Sequence, residues 1–241
     1  MTIILSNVDK IFKISHERRD TLFSKFSSIF GGIKYENFYA LKNINLEIKQ
    51  GECIGIIGEN GSGKSTLLKL ISKILVPTKG NVISRGKIVP LIELGVGLQD
   101  DLTAKENIFL YGTIMGLKRK DIKKRFNGII EFSGLKKFID TKLRSFSSGM
   151  RVRLAFSIAI QTNPDILLLD EIFALGDKEF QEKSLKVLNK FKKDGKTILL
   201  TSHNLNVIKG FCEKTIVLHK GEIIKFDNTN DTIKYYEKIK I

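Results

Sequence analysis

Gly58-Glu59-Asn60-Gly61-Ser62-Gly63-Lys64-Ser65 is the stretch from which the rest of the chain can be read. Its spacing is GxxxxGK[ST], and its flanks have the matching character. Residues 52–57 read as a short buried strand, and residues 66–75 carry leucine and isoleucine at helical spacing. The loop therefore opens a helix, where N–H groups without intrahelical partners face outward with the positive end of the helix dipole behind them. Gly58, Gly61 and Gly63 let the backbone curl around a polyphosphate with no Cβ in the way. In that arrangement Lys64 reaches the β and γ phosphates and Ser65 offers its hydroxyl to Mg²⁺, with Glu59, Asn60, Ser62 and Thr66 completing the nucleotide-binding run. A Gly-rich turn beside a surface lysine is the plain alternative, and the strand and helix on either side count against it.

A chain of 241 residues, 42% hydrophobic, can bury the core of one large α/β domain or of a core with a subdomain. The two cysteines, Cys53 and Cys212, lie far apart in sequence within apolar stretches and read as reduced core residues, which predicts a cytosolic compartment. No apolar run approaches the length of a membrane span, and residues 1–6 are too brief for the apolar part of a signal peptide. The net charge of +15 is compatible with anionic lipid or nucleic acid. Lysines are spread along the chain, in short groups such as Lys118-Arg119-Lys120 and Lys192-Lys193, and no arginine-rich tract with interleaved aromatics occurs. The charge therefore reads mostly as a solvated surface, with no nucleic acid expected.

Residues 3–8 alternate as an edge strand, and 41–48 as a second strand before the Gln50-Gly51 turn. Between them, Leu22, Phe23, Phe26, Ile29 and Phe30 share one helical face, with Asp20 as an N-cap and Gly31-Gly32 as a stop. That amphipathic helix either packs on its own domain or rests on a membrane or membrane partner. Short strands are expected at 81–84 and 87–92, the latter interrupted by Pro90. From 103 to about 134 the pattern turns helical, with Ile122, Phe126, Ile129 and Ile130 on one face, which predicts a helical subdomain inserted into the core. Residues 165–170 form an unbroken apolar run, the mark of a strand buried on both faces of a parallel sheet. A helix over 178–192, a strand over 197–201, a helix near 204–211, a β turn at Lys220-Gly221 and a terminal helix over 231–240 follow. Strands alternating with helices imply right-handed crossovers and a parallel sheet.

Asp170, at the end of its strand, supplies the second oxygen ligand such sites use for Mg²⁺, and Glu171 beside it can take a proton from an attacking water. Phe146-Ser147-Ser148-Gly149-Met150-Arg151 lies 16 residues before the run Leu167-Leu168-Leu169-Asp170-Glu171, and Thr201-Ser202-His203 follows it. Each motif alone is common. Together with the phosphate loop they resemble, over nearly the whole chain, the ABC ATPases, whose signature segment usually reads LSGGQ. The resemblance implies an α/β P-loop NTPase cassette with a RecA-like core and β layer (1–98 and 155–241), a helical subdomain (99–154) and, here, an N-terminal insertion (15–38).

More narrowly, Ser147–Arg151, the run Leu169-Asp170-Glu171-Ile172-Phe173-Ala174-Leu175-Gly176-Asp177-Lys178-Glu179-Phe180 and the segment Glu93–Thr103 resemble the ATPase subunits of bacterial exporters of O-antigen, capsule or teichoic acid. Phe146, Ser148 and Met150 depart from the usual signature in a way that fits this subgroup. The resemblance makes Gln99 the residue that senses Mg²⁺ and couples to the membrane subunit, Gly176 and Asp177 part of the D-loop, and His203 the switch histidine that contacts the γ phosphate. It gives adenine an aromatic partner, with Phe12 favoured and Tyr39 its rival. It further implies a homodimer in which Ser147, Ser148, Gly149 and Met150 complete the partner's ATP site, with a helix beginning near Arg151. A separate integral membrane permease would carry a lipid-linked polysaccharide, with this chain peripheral at the cytoplasmic face of the membrane. An ATPase of another importer or exporter, or a soluble ABC ATPase acting on ribosomes or DNA, is the alternative. The stretch after the cassette has no room for a carbohydrate-binding domain, so polymer recognition is expected to fall to the partner or to be absent.

Overall fold

The computed structural model of the chain describes residues 2–15, 35–92, 94–171 and 177–239. The amphipathic stretch at 22–30 and Gly176 lie outside them. Two sheets form the frame. Strands β1 (Ile3–Ser15), β2 (Tyr35–Ile48) and β4 (Lys79–Ser84) make an antiparallel layer in the order β2-β1-β4. Strands β3 (Cys53–Ile57), β5 (Ile88–Leu91), β6 (Ile166–Asp170), β7 (Thr197–Thr201), β8 (Lys214–His219) and β9 (Glu222–Asn228) make a second sheet in the order β5-β6-β7-β3-β8-β9, parallel except for the β8–β9 hairpin.

Two expectations change in the first layer. β1 is central and not an edge: Ile3 pairs with Ile48 on one side and with Ser84 on the other. Alternation at Ile3, Leu5 and Val8 marks which face is buried, but says nothing about how many neighbours the strand has. β1 and β2 also run on as a ribbon to Ser15 and Tyr35, so Ser15 and residues 35–38 of the expected insertion are strand. Those outer turns expose their side chains and lack the alternation that betrays a half-buried strand.

The apolar runs of the second sheet are buried on both faces. Cys53, Ile57, Leu167, Leu169, Ile198 and Leu200 point to one side, against Phe156, Phe180, Leu188, Phe191, Ile208 and Phe211. Ile54, Ile56, Ile166, Leu168 and Leu199 point to the other, against Leu67 and Leu68 of α1 (Lys64–Ile71) and the antiparallel layer. Each such side chain contributes roughly 1.5–3 kcal/mol on burial, which is why these runs are apolar on both faces. Pro90 is accommodated because β5 is an edge strand, where a missing N–H on the outer side leaves no ladder bond unmade. Cys53 and Cys212 are free and buried as expected, yet folding brings their sulfurs to 3.7 Å. The Cys212 sulfur and burial push the Cys53 thiol well above its ordinary range, so its thiolate is suppressed.

The helical subdomain comprises α2 (Ala104–Ile114), α3 (Arg119–Ser133) and α4 (Ser148–Ala159) around Ile108, Tyr111, Ile122, Ile129, Leu143, Phe146 and Leu154. Thr103 and Glu106 form a reciprocal capping box at the start of α2. The helical pattern breaks at Gly116, and Gly134 in the left-handed region ends α3. α4 begins at Ser148, three residues earlier than expected, because the Ser147 hydroxyl accepts from the Met150 N–H at 3.2 Å and caps it. The chain closes with α5 (Lys178–Lys193), α6 (Leu205–Phe211) and α7 (Thr229–Ile239). Among the described residues no helix is long and apolar enough to cross a membrane.

Candidate functional site

The carboxyl ends of three neighbouring parallel strands supply the site: β3 leads into the phosphate loop, β6 ends at Asp170 and Glu171, and β7 is followed by Ser202 and His203. Gly63 caps α1 with no side-chain acceptor, so the first N–H groups of that helix remain available to an anion. Lys64 folds back over the loop and donates to the Gly58 and Glu59 carbonyls, each at 2.8 Å. Burial lowers its pKa, opposed by the carboxylates of Glu171 and Asp170.

Asp170 is held from two sides: Oδ2 accepts from the Ser65 hydroxyl at 2.6 Å, and Oδ1 accepts from the Thr201 hydroxyl. A serine hydroxyl against a carboxylate is the hard-oxygen donor set Mg²⁺ takes when substrate phosphates and water fill its remaining positions. Among the described residues no cluster of three His, Cys, Asp or Glu side chains offers a cage for a more fully protein-held metal. Glu171 has φ 56°, an uncommon conformation for a residue with a long side chain, and its N–H reaches the Thr201 carbonyl and hydroxyl at 3.3 Å. That turn aims the carboxylate at His203, whose Nε2 lies 3.2 Å from Oε1. Among the described residues no donor is aligned to that oxygen, which is buried and so retains acceptor capacity.

These groups line a cavity of ≈ 300 Å³ that also includes Phe12, Phe38, Ala40, Asn60, Gly61, Gly63 and Thr66. Phe38 was not evident in the sequence. It sits directly across the ribbon from Phe12, and Tyr39, one position on, pairs with Ile11 and stays off the cavity wall. The register of two strands separated by 19 residues carries no local sequence signal, whereas the Phe12 and Phe38 side chains, 37% and 47% exposed, form one aromatic rim. Gln99 lies off this wall as well. Asn107 clamps its backbone from both directions, accepting from the Gln99 N–H at 2.8 Å and donating to its carbonyl at 3.0 Å. Burial pushes the nearby Tyr111 phenol up to about 12, opposed by its hydrogen bond with the Gly95 backbone.

Ser147, Ser148, Gly149 and Met150 stand apart from the cavity at the head of α4. Two arginines on that helix connect it to its surroundings. Arg151 pairs with Asp100, next to Gln99, and donates to the Leu143 carbonyl. Arg153 reaches Asp177 at 2.9 Å and lies 5.2 Å from the centre of the Phe180 ring. Asp177 in turn accepts from the Phe180 N–H and caps α5. Neither arginine's partner is legible in the sequence, because the partners lie 51 and 24 residues away.

What converges at this sheet edge is the machinery of a phosphate-loop nucleotide hydrolase. The profile of the ABC transporter family matches residues 41–174. The O-antigen export system ATP-binding protein RfbB of Klebsiella pneumoniae is 38% identical over 240 residues, covering 98% of this chain and 97% of its own length. The teichoic acids export ATP-binding protein TagH of Bacillus cereus is 40% identical over 235 residues, 98% of this chain but 42% of its own length. Among solved structures, the dimeric ATP-binding cassette MJ0796, in a post-hydrolysis state with ADP and Pi, superposes with a TM-score of 0.75 at 30% identity, covering 94% of this chain and 98% of that one. The chain belongs to the ABC transporter family and carries its ATP-hydrolysing cassette.

Proposed function

We propose that this chain hydrolyses ATP to power the export of a lipid-linked polysaccharide such as O-antigen or teichoic acid, working as a pair of cassettes beneath a separate membrane permease at the cytoplasmic face. The observation that carries this reading is the 38% identity to an O-antigen export ATPase across almost the full length of both chains. In it, the phosphate loop and Lys64 hold the β and γ phosphates, and Phe12 and Phe38 flank the base. Ser65 and Asp170 would hold Mg²⁺, which neutralises developing phosphate charge when bound. Glu171 orients the attacking water and takes its proton, while His203, 3.2 Å from that carboxylate, faces the γ phosphate. Ser147 and Gly149 of the opposing cassette donate to the same phosphate, so neither chain completes a site alone. Gln99 and its Asn107 clamp pass the state of the site to the permease.

Capture of tagged Glu171→Gln protein with ATP from detergent-solubilised native membranes tests the reading. A stoichiometric multi-span membrane protein from a polysaccharide export system is the expected companion. Recovery with an importer permease, or with ribosomes or DNA, would overturn export and leave the ATPase engine. The base site has its own test. Phe12→Ala and Phe38→Ala should each weaken ATP binding by about tenfold, since one lost base-stacking contact is worth roughly 1–3 kcal/mol, whereas Tyr39→Ala should leave it unchanged. Nucleotide titration by fluorescence decides, and an effect confined to Tyr39 would reject the rim.

A further inference from the structure

The net charge is not spread evenly. Residues 99–154 hold thirteen Lys and Arg against six Asp and Glu, a net +7 of the chain's +15 in under a quarter of its length. The excess concentrates at the start of α3, where Lys118, Arg119, Lys120, Lys123, Lys124 and Arg125 fall within eight positions beside one acid, Asp121. At 100° per residue, Lys120, Lys123 and Lys124 stand on the face opposite the buried Ile122 and Ile129, and all three are exposed. Among the described residues the subdomain's ion pairs lie elsewhere, joining Arg144 to Asp101, Arg151 to Asp100 and Arg153 to Asp177. Among the described residues no carboxylate pairs with α3's lysines.

This arrangement works against the helix that carries it. Lys118, Arg119 and Lys120 crowd the N-terminal turn, where the helix dipole disfavours cations, and Lys120 repels Lys123 and Lys124 one turn on. An anionic surface against the outward face reverses both effects. We propose that the exposed basic face of α3 binds the anionic headgroup surface of a membrane, as a contact separate from the permease. Several lysines on one convex helix face suit a diffuse layer of negative charge, each gaining affinity within a Debye length of it. A nucleic acid fits less well because the aromatic side chains nearby are already engaged. Phe109 and Phe126 stack on each other at 5.8 Å, and Arg119 covers Phe109. The choice of lipid over nucleic acid leans on the membrane-transport reading, but the test needs no permease.

The full chain would be sedimented with phosphatidylglycerol vesicles and with phosphatidylcholine vesicles. Binding is expected to the first only and to weaken with added salt. Lys120→Glu/Lys123→Glu/Lys124→Glu should lower the partition coefficient by about a hundredfold or more, since each lysine near such a surface accounts for roughly one factor of five. Lys186→Glu/Lys190→Glu/Lys193→Glu, the same change of charge on exposed positions of α5, should retain most of the binding. Cooperative thermal unfolding of both variants would confirm that they fold. The proposal is overturned by equal loss in the two variants, by equal binding to the two lipids, or by short duplex DNA displacing the vesicles from the α3 face. Any of these leaves the export reading intact, because capture of a permease decides that independently.

Discussion

Glu171→Gln is expected to lower ATP turnover by at least a hundredfold while leaving ATP affinity within a few-fold of the unmodified chain. General base chemistry contributes about 10²–10⁴ in rate, and an amide in place of the carboxylate cannot take the proton. The substitution keeps size and shape, so it does not disturb the phosphate loop, and Asp170 keeps its bonds to Ser65 and Thr201. Its readout separates catalysis from architecture: phosphate release should collapse while ATP now holds two copies together, giving a dimer peak on gel filtration that ADP does not produce. Turnover within tenfold of the unmodified chain would remove Glu171 from the role of base. The φ of 56° at this position adds a second expectation. Glu171→Asn, in a residue type that adopts the left-handed region readily, should cost no stability, so its activity loss would also be chemical.

Both halves of this site were partly legible before folding, for different physical reasons. The phosphate loop, β3 and β6 announce themselves locally, since GxxxxGKS is contiguous and Leu167, Leu168 and Leu169 must all be apolar in a strand buried on both faces. Asp170 and Glu171 inherit their positions from that strand. Phe38 could not be located in the same way, since its partnership with Phe12 depends on the register of a ribbon whose two arms are separated by 19 residues. The central place of β1 was likewise invisible, because strand order is decided by pairings as distant in sequence as Ile3 with Ile48 and Ile3 with Ser84. Asn107 illustrates a third case. A buried asparagine reads as an ordinary polar helix residue, and only the folded chain reveals that its amide bonds both backbone groups of Gln99. The cysteines make the same point in reverse, distant in sequence and adjacent in space.

Gly63→Ala should be far more destabilising than Gly61→Ala, and the comparison between the two isolates the reason. Both glycines lie in the left-handed region, at φ 108° and 78°. At Gly61 a Cβ would meet nothing within 4 Å, so alanine there carries only the backbone penalty, about 1–2 kcal/mol. At Gly63 the Cβ would sit 2.6 Å from the Ala40 carbonyl oxygen and 2.9 Å from a Leu41 methyl. That carbonyl belongs to β2, and the next residue but one, Lys42, is tied by its N–H to Gly221 at 2.8 Å, so the strand cannot retreat without losing its hold on the β8–β9 hairpin. The clash therefore adds to the backbone penalty, for a combined cost of about 3 kcal/mol or more. At roughly 2–4 °C per kcal/mol for a chain of this size, the expected fall in melting temperature is roughly 6–12 °C or more for Gly63→Ala and roughly 2–8 °C for Gly61→Ala. Differential scanning calorimetry without nucleotide reads the two directly. Equal shifts would mean that β2 yields to the loop, and the antiparallel layer would then be a flexible neighbour of the phosphate cradle instead of the wall that fixes its shape.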